Sequence, residues 1–225
     1  NASSLGSAQV LMQSATPEYP DGMANSSGVL GHYLMDHQGG VGASGRYSEL
    51  NDSIYYGQRP GSVCIPRFRN VNKNDQPYVR GYLFENWINR QDWTRGFHQP
   101  GIGAEWKEDL TKPGDWTAYF EAYGETLPDY NNKVSLSKDK KDKWGLPLLE
   151  IDMQYGENEK KMAKDMQETA EEMLTISGLS NIKTFNYSSA PGSNIHEMGT
   201  ARMGNDPKSS VLNKWNQSHD ISNLF

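Results

Sequence analysis

The run Asn194-Ile195-His196-Glu197-Met198-Gly199-Thr200-Ala201-Arg202-Met203-Gly204 puts a histidine at the opening of a glycine-punctuated loop. An imidazole ordinarily titrates near working pH, so it suits general-base removal of a proton. Glycines beside it let the backbone approach a flat partner with no Cβ in the way. A single histidine is more often a surface or satisfied core residue than a catalyst, so the flanking pattern has to carry the assignment. A zinc reading fails on spacing. His-Glu-x-x-His on a helix would bind the metal, but Thr200 stands where the second histidine should be, and the glycine and threonine argue against a helix.

The spacing resembles that of the glucose-methanol-choline oxidoreductases. Their pattern His-x-x-Gly-Thr-x-x-Met-Gly is matched from His196 to Gly204, and Val211-Leu212-Asn213 follows where the family has Val-(Leu/Val)-(Asn/Asp). Three further segments match in order. Ser3 to Ser14 is similar to the second family signature, with Ala8 in the usual proline position and Ala15 in that of a glycine. Gly31-His32-Tyr33-Leu34-Met35-Asp36-His37 resembles Gly-x-Asn-Leu-x-Asp-His, with Tyr33 in the Asn place. Glu125 to Pro147 resembles Glu-x-x-Pro-x-x-x-Asn-x-Val-x-Leu followed by Asp-x-x-Gly-x-Pro.

The resemblance implies an FAD-dependent oxidoreductase acting on CH–OH groups, with His196 accepting the hydroxyl proton while the carbon gives a hydride to the flavin. Gly199 and Thr200 are the cofactor-side candidates. The implied fold is α+β: an antiparallel-sheet substrate-binding domain covered by helices, attached to remnants of a Rossmann-like FAD domain. Residues 1–23 would end the FAD domain, 24–189 form the substrate domain, and 190–225 return to the FAD domain. The glycine loop that cradles the ADP half of FAD, and a second His or Asn downstream of His196, fall outside this chain. It therefore reads as part of a longer protein, whose remaining FAD-domain portion is an implied partner, with an electron-acceptor protein as a further candidate.

Tyr55 to Pro60 and Ile65 to Asn70 look closest to bacterial sugar and sugar-acid dehydrogenases and to pyranose oxidases. The donor expected is a polyol, sugar or sugar acid, because Tyr55, Tyr56, Gln58, Arg67, Arg69, Tyr82, Asn86 and Trp87 offer hydrogen-bonding and stacking groups. Arg67, Arg69 and Tyr82 are the substrate-side candidates. The competing reading of the two arginines is pairing with acidic residues. A non-catalytic carbohydrate-binding module is the competing class, since Trp and Tyr among Asn, Gln and Gly also make a sugar-stacking platform. Such a module has no use for a histidine in a Gly-Thr-x-x-Met-Gly turn.

The elements that must position these residues are legible in outline. Ser3 to Ala15 has helical spacing with serines available as caps. Gly40-Val41-Gly42-Ala43-Ser44-Gly45 matches a dinucleotide fingerprint literally, but no buried apolar strand precedes it, so a glycine-rich strand is expected. Aromatic and β-branched clusters between Ser53 and Phe120 predict sheet, with Trp116, Ala118, Phe120 and Ala122 on one face. Asn86 to Thr111 reads as a loop over a pocket. A strand pair joined by a charged turn is predicted around Val134 and Leu136, a helix over 158–176 with Met162, Met166, Ala170, Met173 and Leu174 inward, and a strand at Thr184 to Tyr187. Asp36 and His37 read better as hydrogen-bonding fasteners of the linker between the two domains than as a coupled pair.

Bulk properties narrow the classes. The chain of 225 residues is long enough to bury a core. A net charge of −6 argues against a nucleic-acid partner, whose phosphates need a basic face. Cys64, the sole cysteine, excludes an intrachain disulfide and is predicted to be a small buried hydrophobe. No run approaches the length of a membrane span. No compartment is indicated.

Overall fold

The computed structural model describes residues 2–49, 62–187 and 189–225. The described residues are mixed α/β, with a five-stranded antiparallel sheet, a two-stranded hairpin and three α-helices. It divides into two compact units. Unit 1 comprises Asn1–His37, Thr126–Gly156 and Ala190–Phe225; unit 2 comprises Gln38–Glu125 and Glu157–Ser189.

Unit 2 is built on a five-stranded sheet of β1 (Gln38–Tyr47), β2 (Val63–Ile65), β3 (Tyr82–Arg90), β4 (Trp116–Gly124) and β7 (Ser180–Asn186), in the order β2-β3-β4-β1-β7. The expected glycine-rich strand is β1, at the centre of the pairing between β4 and β7. The helix α3 (Glu157–Ile176) covers one face. Its stripe of Met162, Met166, Ala170 and Leu174 is fully buried against Val41, Ala43, Phe84 and Ala122. The helix stops where Gly178 takes φ +79°, with the Gly178 N–H donating to the Thr175 carbonyl and the Leu179 N–H to that of Leu174. These two bonds satisfy end-of-helix carbonyls that a continuing chain with a Cβ at that position would strain to reach.

Two local expectations need correction. Asn86 to Thr111 is not a bare loop: β3 runs on to Arg90, a 3-10 helix spans Trp93–Phe97, and α2 spans Ala104–Thr111. The two helical pieces fold against each other because Trp106 lies over Gly101 and Leu110 over Gly96, while Arg95 gathers the carbonyls of Asp92, Asp109 and Lys112. Cys64 is exposed, since β2 is a three-residue edge strand too short to be roofed. The cluster at Ile54, Tyr55 and Tyr56 lies outside the described residues, as does Gln58.

Unit 1 contains α1 (Ser3–Gln13) and a hairpin of β5 (Lys133–Lys141) and β6 (Pro147–Asp152), which is the predicted strand pair. Its remaining segments, 14–37 and 190–225, are turns and isolated bridges. Two small clusters replace a single core. Ala8, Leu34, Val134 and Met153 form one, and Val29, Leu30 and Val211 the other. No serine caps α1, whose N-cap is Ala2; the Ser4 hydroxyl is used elsewhere.

Candidate active site

His196 sits on a loop of unit 1 that is held from both sides by hydrogen bonds. On one side, Met35 and Met198 exchange backbone bonds in both directions at 2.9 Å, the Gly31 N–H donates to the Thr200 carbonyl at 2.6 Å, and the Thr200 N–H donates to the His32 carbonyl at 3.1 Å. On the other, the Ser4 hydroxyl in the first turn of α1 donates to the Glu197 carbonyl at 2.7 Å, and the Thr200 hydroxyl donates to the Ser4 carbonyl at 3.0 Å. Thr200 is fully buried. Gly199 takes φ +87°, and a Cβ there would overlap the Tyr33 carbonyl oxygen. That overlap bars a larger residue at position 199 in this turn.

Asp36 is the centre of the arrangement. Its carboxylate is buried and accepts three backbone N–H bonds: from His37 at 2.8 Å, from Asn194 at 2.6 Å and from His196 at 3.2 Å. The Asn194 side-chain amide adds a bond to the His37 carbonyl at 2.7 Å. A carboxylate receiving several N–H donors is the stable way to bury such a group. Asp36 is thereby a fastener, but of the histidine loop itself rather than of a linker. Sequence reasoning read Asp36 as a fastener but did not connect it with Asn194 or His196. No local pattern signals a contact across 158 to 160 positions.

The His196 side chain is exposed, with its backbone pinned and its ring lacking a hydrogen-bond partner among the described residues. Its ring packs edge-on to that of His37, at 5.1 Å between centroids and 75° between planes. Around it the loop presents apolar side chains outward: Ile195 is 80% exposed, Met198 59% and Met203 53%. Large apolar groups left uncovered together on a pinned loop mark an interaction surface. Among the described residues no group of three or more His, Cys, Asp or Glu could hold a metal, and no helix is long and apolar enough to cross a membrane.

Arg67, Arg69 and Tyr82 fall in unit 2 and are engaged by protein groups. Arg67 donates to Glu125 at 2.8 Å and to the carbonyls of Arg69 and Asn70. Arg69 donates to Asp165 at 3.2 Å and to the Thr169 hydroxyl at 3.1 Å. The same Asp165 oxygen accepts from the hydroxyls of Tyr78 at 2.7 Å and Tyr82 at 2.6 Å. Burial, reinforced by the bond to Asp165, pushes the Tyr82 hydroxyl up to about 12 and raises that of Tyr78 further. Tyr82 is only 2% exposed.

Residues 128–225 match the family model of the GMC oxidoreductases. The whole chain is similar to a 2-methyl-1,2-propanediol dehydrogenase of Mycolicibacterium austroafricanum, at 32% identity, and to a fructose dehydrogenase large subunit of Gluconobacter japonicus, at 30%. These matches cover 41% and 40% of the two relatives. A 6'''-hydroxyparomomycin C oxidase of Streptomyces lividus is 27% identical over 98% of the chain and 37% of its own length. The chain thus spans about two fifths of the length of the curated relatives it matches. On the strength of the His196 loop, its supporting segments and these matches, the chain belongs to the GMC oxidoreductase family.

Proposed function

We propose that the chain is the portion of an FAD-dependent oxidoreductase that supplies the proton acceptor, His196, for oxidation of a CH–OH group in a polyol, sugar or sugar acid. The observation that carries this reading is the division of labour at His196, with its backbone clamped by Asp36 and its imidazole exposed and without a hydrogen-bond partner among the described residues. A base must be positioned closely yet have a free nitrogen for the proton it takes. Relatives named for a diol, fructose and an aminoglycoside support a hydroxyl-rich donor.

The loop around His196 fits a flavin. Ile195, Met198 and Met203 offer uncovered apolar surface, and Gly199, pressed against the Tyr33 carbonyl, holds the turn that presents it. Thr200, with its hydroxyl held by Ser4, fixes the loop from behind. Bound there, FAD would supply the acceptor for the hydride leaving the carbinol carbon. His196 receives the hydroxyl proton, and Asp36 and Asn194 keep the imidazole in place through the backbone. In this reading residues 1–23 and 190–225 of unit 1 are remnants of a Rossmann-like FAD domain, and unit 2 lies within the substrate-binding stretch 24–189. Arg67, Arg69 and Tyr82 would serve its framework, because their polar groups are already engaged.

The test is His196→Ala in the full-length flavoprotein. FAD absorbance should be retained while flavin reduction by a saturating sugar or polyol donor slows on the order of 10²–10⁴-fold. Reduction at the parental rate would overturn the assignment.

A further inference from the structure

The sheet of unit 2 has a second face, away from α3, and at one end of it lies a cavity of about 440 Å³. Its polar lining comes from Ser44 and Arg46 of β1, Thr117 of β4, Lys183 of β7, Gln91 just past β3, and Asn181. The register brings them together: Ser44 lies opposite Lys183, and Arg46 lies opposite Thr117. The pairing of β1 with β7 is irregular between Ser44 and Arg46, and Asn181 takes φ +50° nearby. Two cations thus lie on adjacent strands of one face, an arrangement that costs free energy unless an anion stands near them.

No carboxylate lines this cavity among the described residues. In a chain with 28 acidic and 22 basic residues, that local inversion of charge is informative. The sole ion pair of Arg46 among the described residues is to Asp115 at 3.7 Å, with half of the arginine side chain exposed. Exposed pairs of that length hold little. Lys183 has no ion pair, and the side chains of Ser44, Gln91 and Asn181 have no hydrogen-bond partner, among the described residues. Two cations and three unengaged donors therefore converge on one space of small-molecule size. The hollow continues into a second of about 580 Å³, which shares Arg46 and Gln91, is lined also by Asp115, the distant partner of Arg46, and in which Arg95 holds Asp109.

From this we infer that the cavity binds a hydroxyl-bearing oxyanion, a sugar carboxylate or a sugar phosphate, with Arg46 and Lys183 on the anionic end and Ser44, Gln91 and Asn181 on the hydroxyls. Guanidinium and ammonium groups recognise carboxylates and phosphates alike through charge-assisted hydrogen bonds. The uncharged donors select for ligands that carry hydroxyls, because a hydroxyl buried without a partner costs binding.

Isothermal titration calorimetry on the full-length protein tests this without reference to turnover, so failure here leaves the His196 reading standing. Gluconate, glucose 6-phosphate and neutral glucose are titrated at low and moderate salt. At least one of the two anions should bind more tightly than glucose, and which one does distinguishes the carboxylate source from the phosphate source. Its affinity should fall as salt rises, and Arg46→Gln and Lys183→Gln should each weaken it by roughly tenfold. Both side chains are exposed, so the variants are expected to fold, with circular dichroism as the check. Glucose binding as tightly as both anions, no anion binding, or anion binding unchanged in both variants would each overturn the proposal.

Discussion

The two units of this chain are stabilised in different ways. In unit 2 a single methionine-rich helix face closes over one sheet, and order comes from burying Met162, Met166 and Leu174 against Val41 and Phe84. In unit 1 the apolar clusters are small, and order comes from named hydrogen bonds that tie distant loops together, many of them to Asp36, Ser4 and the backbone of 31–35. A packed core tolerates exchange of one apolar side chain for another of similar volume. A hydrogen-bonded loop tolerates far less, since each donor and acceptor is specific to its partner. The histidine sits where the chain is held by specificity rather than by bulk.

That contrast can be broken most strongly in unit 2. Leu174→Ala should cost about 2–5 kcal/mol, because the vacated space among fully buried neighbours can only partly collapse. Urea unfolding should show the loss, while the amides of Asn194 and His196 keep their hydrogen-exchange protection in the native state. Protection lost at both places would mean that the units do not draw on separate sources of stability.

A smaller effect on stability, but a larger one on function, is expected from Asp36→Asn. The amide turns one acceptor into a donor facing backbone N–H groups, which should cost about 1–3 kcal/mol. Exchange protection at Asn194 and His196 should disappear, and flavin reduction in the full-length protein should slow roughly 10–100-fold as the imidazole loses its placement. Unchanged reduction kinetics would show that the clamp does not position the base.

The smallest effect is alkaline. Tyr82 is neutral in the folded protein up to about pH 12, against an ordinary value near 10, and Tyr119 and Tyr123 are raised likewise by burial. A raised folded value stabilises the fold fully below about pH 10. That contribution is lost as pH climbs through 12, because the unfolded tyrosines release their protons first. Urea midpoints should therefore hold from pH 8 to 9.5 and fall between 10 and 12. Tyr78→Phe removes one hydroxyl bond to Asp165 at a cost of about 0.5–1.5 kcal/mol, and should make the alkaline decline shallower.

These differences also explain what could be read from the sequence. The helix expected over 158–176 is observed at 157–176, because a 3.6-residue period in Met162, Met166, Ala170 and Leu174 is a local record of a buried face. The strand from Trp116 was legible for the same reason at period two, although only Ala118 and Ala122 of the four expected residues are fully turned in. The helical excursion at 93–111 was not, since its order depends on Trp106 and Leu110 finding two glycines rather than on any sustained period. At the site, the motif around His196 named the histidine. It carried no trace of Asp36 as the clamp or of Ser4 as the support, because hydrogen bonds between remote segments leave no spacing to detect. The cavity at Arg46 and Lys183 was hidden likewise, its residues being drawn from β1, β4, β7 and the turns beside them.

The span between Asp36 and its partners has a consequence for how the protein is made. At the usual pace of about 5–20 residues per second, the ribosome needs roughly 8–30 s to advance from Asp36 to His196. Throughout that interval the carboxylate has only water and its own neighbour to bind. Unit 2 acquires all of its strands by Asn186 and can close its core while the histidine loop is still being synthesised. The histidine loop is then fastened onto a receptor that was synthesised 160 residues before it.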